Sequence, residues 1–435
     1  MALGGGAQPL RLSELGPVRS ISRVTASAHW PRLCSAVAAT ALVAGAVGVA
    51  MVELLRVVQW VGYGQWGHAI VPMVPHVPAW RRVLVPLVAG LLCGLSWWWV
   101  RSRGRLVGAA ESIRGHRPMH VGSTLVDALN QVVFVGSGSS LGREGAPREL
   151  AAAAADRISS WTRLERRDRD LLVAAAAGAG LAAVYLTPLS GAAFALEVVL
   201  RRRSWRAAAF ALPVSFGAVA AASQFVGTGP ALHVTPALTS RPDAHTIAVA
   251  AGAALAALPV GLVFAWFTRF VGRRRPIPGP WLVAALVAAG ALTGLVEIVR
   301  PEVAGNGREL VEMALLGSFG VQTALVLVVA KASLTSGHLA AGAAGGLLMP
   351  SLGVGAATGV VVALLAGQPV AWAALLAGVV VLTCTQRAPL FASAFVWELT
   401  RAHWTLAVVG LLVAACTRVV TRTEFLRNVK PLGGS

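Results

Sequence analysis

Leu141-Gly142-Arg143-Glu144-Gly145-Ala146-Pro147 sets glycines on either side of a charged pair and ends in a proline that opens a helical run, Arg148 to Ala155. Glycine leaves backbone N–H groups uncovered, and proline in a first helical turn forfeits no bond. A helix N-terminus offers free donors and about half a positive charge, so this stretch suits an anion. A carboxylate there, Glu144, is expensive at membrane depth and therefore reads as functional. Its charge competes with an incoming anion for the same donors. Protonation weakens its hold, which makes Glu144 a gate and a possible proton carrier. A second glycine run, Gly342-Ala343-Ala344-Gly345-Gly346-Leu347-Leu348-Met349-Pro350, repeats the design without the acid. The anion-binding candidates are backbone donors at Arg143 and Gly145, and at Gly346, Leu347 and Leu348. Two plainer readings stand beside this one. Arg143 and Glu144 could form a surface ion pair, and small residues also serve close helix packing in membranes.

The elements that hold these residues must be membrane helices. The 435 residues carry 37 Lys+Arg against 18 Asp+Glu, a net charge of +19, yet only 13% are charged and 56% are hydrophobic. Mean hydropathy is +0.70. A water-soluble domain carries about 25% charged residues. The same figures exclude a disordered chain and argue against a nucleic-acid binder, despite a pI near 11.6. Cys34, Cys93, Cys384 and Cys416 are scattered fillers, and the nine histidines show no ligand spacing. No metal, no cofactor and no enzymatic site is expected.

The first long apolar run, Ser35 to Leu55, should span. Others follow at 83–100, 121–141, 171–186, 188–200, 207–226, 246–271, 281–299, 310–330, 338–367, 370–384, 388–399 and 404–417. Several fall short of the roughly 20 residues that cross hydrocarbon. Short runs interrupted by Gly and Pro predict broken helices that end inside the membrane, covered by protein. The order also repeats. Pro188-Leu189 to Glu197 and Pro389-Leu390 to Glu398 share Pro, Leu, Phe and Glu at equal offsets, 201 residues apart. Each follows a glycine–proline helix start. After Glu197 come Arg201, Arg202, Arg203 and Arg206; after Glu398 comes Arg401. By the positive-inside rule the two ends face opposite sides. The expected organisation is a cytoplasmic tail over 1–33 and a transmembrane domain over 34–420, with halves at about 34–226 and 246–420. A basic tail over 421–435 could lie on lipid headgroups.

These residues resemble the CLC family of chloride channels and proton/chloride antiporters, over about residues 104–417. The family's G-K/R-E-G-P appears as Gly142-Arg143-Glu144-Gly145, with the proline one place late at Pro147. Its G-x-F-x-P appears as Gly346 to Pro350, with Leu348 for the phenylalanine. Thr335-Ser336-Gly337, Arg387-Ala388-Pro389-Leu390 and the Pro188-Leu189 segment follow the family order. The resemblance implies an all-α polytopic membrane protein, an inverted repeat of two halves with many broken, tilted helices. It implies a homodimer with a pore in each subunit, chloride or a similar small anion as cargo, protons as possible partners, and a bacterial inner membrane as the site of action. No CBS domains are expected.

Three departures matter. The early G-S-G-I-P has only Gly104-Arg105-Leu106-Val107-Gly108 as counterpart, without its serine. Gly136-Ser137-Gly138 lies too close to Gly142 to take that place. The late pore tyrosine is missing; Tyr63 and Tyr185 are the two tyrosines, and Phe425 is the nearest late aromatic. Finally, the antiporter F-x-x-E-E reads Phe194-Ala195-Leu196-Glu197-Val198. Val198 cannot hold a proton, which leans the reading towards passive anion flow. A coupled antiporter and a non-conducting relative are the alternatives. Glu197 and Glu398 are expected to cap or pair structurally. Asp127, Glu53 and Glu297 receive no role.

Overall fold

Alanine, leucine and valine fill the apolar runs, and in lipid a helix is the form that satisfies every backbone group within one segment. The computed structural model, which describes residues 21–64, 71, 74–232, 234, 236–274 and 276–422, is accordingly all helical, without a named strand among the described residues. Seven of its helices are long and apolar enough to cross a membrane. Four more apolar segments are shorter, among them Val121–Gly136 and Thr405–Val420.

The first half runs α1 (Ile21–Tyr63), α2 (Ala79–Ser102), α3 (Ala109–Gly115), α4 (Val121–Gly136), α5 (Gly145–Trp161), α6 (Arg166–Tyr185), α7 (Pro188–Phe194, continued by a wider turn Ala195–Val199) and α8 (Trp205–Val226). A short turn, α9 (Pro236–Thr239), links it to α10 (Ala244–Gly272), α11 (Pro280–Val299), α12 (Arg308–Leu315), α13 (Val321–Ala340), α14 (Leu348–Leu365), α15 (Val370–Gln386), α16 (Pro389–Thr400) and α17 (Thr405–Val420). The tail expected over 1–33 includes the start of a helix. Helix α1 already runs from Ile21, because 21–33 holds no glycine and a single proline, Pro31. The rest of that tail, and 423–435 with Phe425, lie outside the described residues.

Two expected spans each hold two elements. The run 310–330 breaks at Gly317 and Gly320, between α12 and α13. The run 338–367 breaks at Gly342, Gly345 and Gly346, between α13 and α14. Gly317 and Gly342 take φ of +65° and +94°, the left-handed region that ends helices.

Eight helices answer eight in order. The left-handed turns recur with them: Gly104 with Gly305, His116 with Gly317, Gly138 with Gly342, Arg163 with Gly367, Leu186 with Arg387, and Arg201 with Arg401, at 200–204 residues' separation. A left-handed conformation costs an L residue roughly 1–2 kcal/mol. Leu, Arg and His bear it where the other copy has the same bend, so the architecture imposes the turn. The charges on matched turns differ. The α5–α6 region carries Arg157, Arg163, Arg166, Arg167 and Arg169, whereas 361–373, its counterpart, carries no Lys or Arg. That bias fits the opposed orientation of an inverted repeat.

Helices α2 and α11 pack through Gly90-x3-Gly94 and Gly290-x3-Gly294. A Cβ on Gly290 would stand 2.2 Å from the Pro86 carbonyl oxygen, and one on Gly90 2.5 Å from that of Leu286. The backbones touch, as small-xxx-small packing allows. Gly290→Ala should therefore lower stability by about 1–3 kcal/mol, as overpacking does. Thermal unfolding of the purified protein in detergent checks this; an unchanged midpoint would contradict backbone contact at the crossing.

Candidate functional site

The two glycine stretches meet back to back. Gly142 N donates to Gly346 O at 2.9 Å and Gly346 N to Gly142 O at 2.7 Å, an antiparallel bridge between the halves. Glycine is required on both sides. A Cβ on either residue would fall 1.9 Å from Glu144 Oε2, and one on Gly142 would also fall 2.6 Å from Gly346 O.

Glu144 is 1% exposed. It sits at the N-cap of α5 in helical conformation and makes no side-chain capping bond. The carboxylate reaches across to the other half. Oε1 accepts from Met349 N in the first turn of α14 at 3.1 Å and from the Tyr185 hydroxyl at 3.2 Å. Oε2 is buried with no donor. First-turn amides of a helix have no intrahelical acceptor, and a negative group is favoured at that end. The carboxylate thus stands where an anion could be held.

Two other acids make the same cross-half contact more tightly. Glu398, on α16, accepts from Leu189 N (2.9 Å), Ser190 N (2.7 Å) and the Ser190 hydroxyl (2.7 Å) at the start of α7. Glu197 accepts from Phe391 N (3.0 Å) at the start of α16 and pairs with Arg203. So α7 and α16 clasp each other, each acid on the other's N-terminus. Both oxygens of Glu398 and both of Glu197 are engaged. Glu144 has one oxygen engaged, through longer bonds, and one oxygen free. Of the three it makes the longest bonds.

Arg143 is buried, and its Nε has no acceptor. It lines a cavity of about 300 Å³ with Tyr185, Asn306, Arg308 and Glu309. Arg308 Nε is likewise buried without an acceptor. Arg308 also pairs with Glu312 at 3.2 Å, and the carboxylate of Glu309 shares this lining. Gly145 opens α5 and leaves no room for a side chain: a Cβ there would stand 2.2 Å from Gln131 Oε1, itself an unpartnered acceptor. Leu347 is the N-cap of α14 and Leu348 its first residue. The α14 amide that meets the carboxylate is that of Met349, which sequence reasoning left out.

Tyr185 was also missed. It closes α6 and is 2% exposed, with its ring edge-on to Phe395. Its position far from the C-terminus hid its role, although a lone phenol ending an alanine-rich run was a signal. The counterpart of the early glycine motif holds no hydroxyl. Gly108 is the N-cap of α3, and the first amide, Ala109 N, donates to Glu149 Oε2 at 2.7 Å. The buried hydroxyls without partners near the bridge belong instead to Ser139 and Ser140. Val198 lies half-buried in the widened turn after α7, beside Glu197.

Asp127 does have partners. It accepts from Trp97 Nε1 and Gln131 Nε2, both at 2.7 Å. Glu297 accepts from the Tyr63 hydroxyl at 3.4 Å. Lys331, 204 residues after Asp127, is fully buried and donates to Val303 O and Gly305 O, each at 2.8 Å. Among the described residues no group of three His, Cys, Asp or Glu could hold a metal ion.

The model of a protein family described as "Voltage gated chloride channel" matches residues 89–422. A ClcB-like protein of Ralstonia nicotianae is 30% identical over 400 residues, covering 87% of this chain and 91% of the relative. The voltage-gated ClC-type chloride channel ClcB of Citrobacter koseri is 28% identical over 387 residues, covering 85% and 91%. Among solved structures, a slow cyanobacterial Cl−/H+ antiporter superposes with a TM-score of 0.76 at 19% identity, covering 93% of this chain and 96% of its own. A CLC-type fluoride/proton antiporter superposes at 0.71 with 20% identity, covering 90% and 96%. These structural likenesses concern the fold.

Proposed function

The chain belongs to the voltage gated chloride channel family, an integral membrane protein of CLC-type chloride transport, and from that premise we propose that Glu144 gates passive flow of chloride or a similar small anion. The observation that carries this reading is the placement of the Glu144 carboxylate on Met349 N, in the first turn of a helix from the other half. While ionised it holds the donor that an anion needs. Once protonated it loses charge and competes poorly, and its free oxygen and two longer bonds let it swing away. The amides of Arg143, Gly145, Leu347, Leu348 and Met349 then face the anion, joined by the Tyr185 hydroxyl, while the amide of Gly346, expected among them, stays bonded to Gly142 O.

Passive flow is favoured over coupled exchange by the inner end of the path. Val198 carries no proton, and Glu197 beside it is held by Arg203 and Phe391 N. A carboxylate fixed by an arginine is a poor relay. The arginine-rich turns set this end in the cytoplasm of a bacterial inner membrane. The reading includes the homodimer that the resemblance implies, with a pore in each subunit.

The test is chloride efflux from proteoliposomes with simultaneous proton recording. Efflux without proton uptake is expected. Proton movement against its gradient, driven by chloride, would make the protein an antiporter, and no efflux at all would mark a non-conducting relative.

A further inference from the structure

The arginine-rich face carries a cluster apart from the Glu144 bridge. Arg269, near the C-terminus of α10, is 4% exposed. Its Nη2 donates to Cys384 O at 2.6 Å, in the last turn of α15. Its Nη1 is buried with no acceptor. Three residues beyond Cys384, Arg387 closes α15 in a left-handed conformation, its N–H on Thr383 O at 2.8 Å. Phe391, four residues further, donates to Glu197. Glu197 pairs with Arg203, two residues after Arg201. Arg418, in the last turn of α17, has Arg387, Arg203 and Glu197 as charged neighbours. Arg387 and Arg273 stand near Arg269, and Arg201 stands near Arg387.

The ends of three helices and the α7–α8 turn thus bring together Arg201, Arg203, Arg269, Arg387 and Arg418. The carboxylate among them, Glu197, has both oxygens engaged. Helix C-termini favour nearby cations, which explains why arginines gather here. It does not supply an acceptor for Arg269 Nη1, and an unmade bond on a buried charged group is costly. Guanidinium forks match phosphoryl oxygens two at a time. Trp205, four residues after Arg201, is 92% exposed, as suits the interfacial belt.

We propose that this cluster is a binding site for a phosphoryl anion, either a lipid headgroup or dissolved phosphate, with Arg269 Nη1 as its buried donor and Arg387 and Arg418 at its rim. The site is separate from Glu144, and its test reads binding rather than flux, so failure of the gating reading leaves it standing.

Thermal unfolding of the purified full chain in neutral detergent tests it, with sodium pyrophosphate or short-chain phosphatidylglycerol titrated against sodium chloride at matched ionic strength. A saturable rise in midpoint is expected with at least one phosphoryl probe and absent with chloride. Saturation by the lipid alone assigns the headgroup; saturation by pyrophosphate assigns a site open to solution. Arg269→Gln and Arg418→Gln should each weaken the apparent affinity about tenfold, as loss of a charge-assisted bond does, while Arg241→Gln, in the exposed α9–α10 linker, leaves it unchanged. Arg418→Gln removes a half-exposed side chain and keeps the test decisive if Arg269→Gln does not fold. An equal shift in chloride, no shift with either probe, or unaltered affinity in both variants would overturn the site.

Discussion

Glu144→Gln should flatten the pH dependence of anion efflux. In the wild type, efflux is expected to rise as pH falls, by up to roughly tenfold per pH unit, the limit for one titrating proton. The variant should hold the open rate across the range. Glutamine keeps the size of the side chain and an oxygen for Met349 N and the Tyr185 hydroxyl, so the fold around the bridge is undisturbed. What it lacks is the charge that competes with an anion for those donors. Efflux from proteoliposomes, recorded from neutral to acidic pH, reads the difference directly. Identical pH profiles in variant and wild type would refute the gate. The same substitution at Glu398 is a useful contrast. That carboxylate takes three bonds of 2.7–2.9 Å, and its neutralisation should affect stability and leave the pH profile as it was.

Lys331→Met should be the most damaging single change to stability. The ammonium group is fully buried and donates to two carbonyl oxygens, those of Val303 and Gly305. Its charged neighbours are Glu309, Glu297 and Glu144. Methionine fills nearly the same volume, so no cavity forms. The loss is electrostatic: two carbonyls lose a donor, and buried carboxylates lose a cation. Removing one partner from a buried charge cluster costs about 3–5 kcal/mol. Thermal or denaturant unfolding in detergent would measure this. Adding Glu297→Gln should recover part of the loss, because the unpaired charge is the costly element. A single variant as stable as the wild type would show that the lysine compensates nothing.

The early glycine stretch shows where reading the chain in one dimension runs out. Gly104 to Gly108 matched a family motif lacking its serine. In three dimensions the following amide meets Glu149, a residue from α5. The unpartnered hydroxyls lie at Ser139 and Ser140, beside the bridge. The phenol that bonds Glu144 belongs to Tyr185, at the end of α6. Each is a contact between segments distant in sequence, and no local spacing encodes it. Asp127 and Glu297 remained without roles for the same reason. Their partners, Trp97 with Gln131 and Tyr63, become neighbours once helices pack.

By itself the sequence determined the helical class, the membrane solvent, the two-fold repetition and the acid between glycines. Composition, hydropathy and glycine–proline breaks act locally, residue by residue, and so survive in one dimension. The two P-L-x4-F-x2-E segments are legible as a pair for that reason. Only the tertiary structure decided that the two glycine stretches bond to each other, that Glu144 rests on Met349 N, and that Glu197 and Glu398 each hold the other's helix. Those pairings join the halves across some two hundred residues. They depend on how helices of opposite direction meet, which is a property of packing and backbone direction rather than of any single segment.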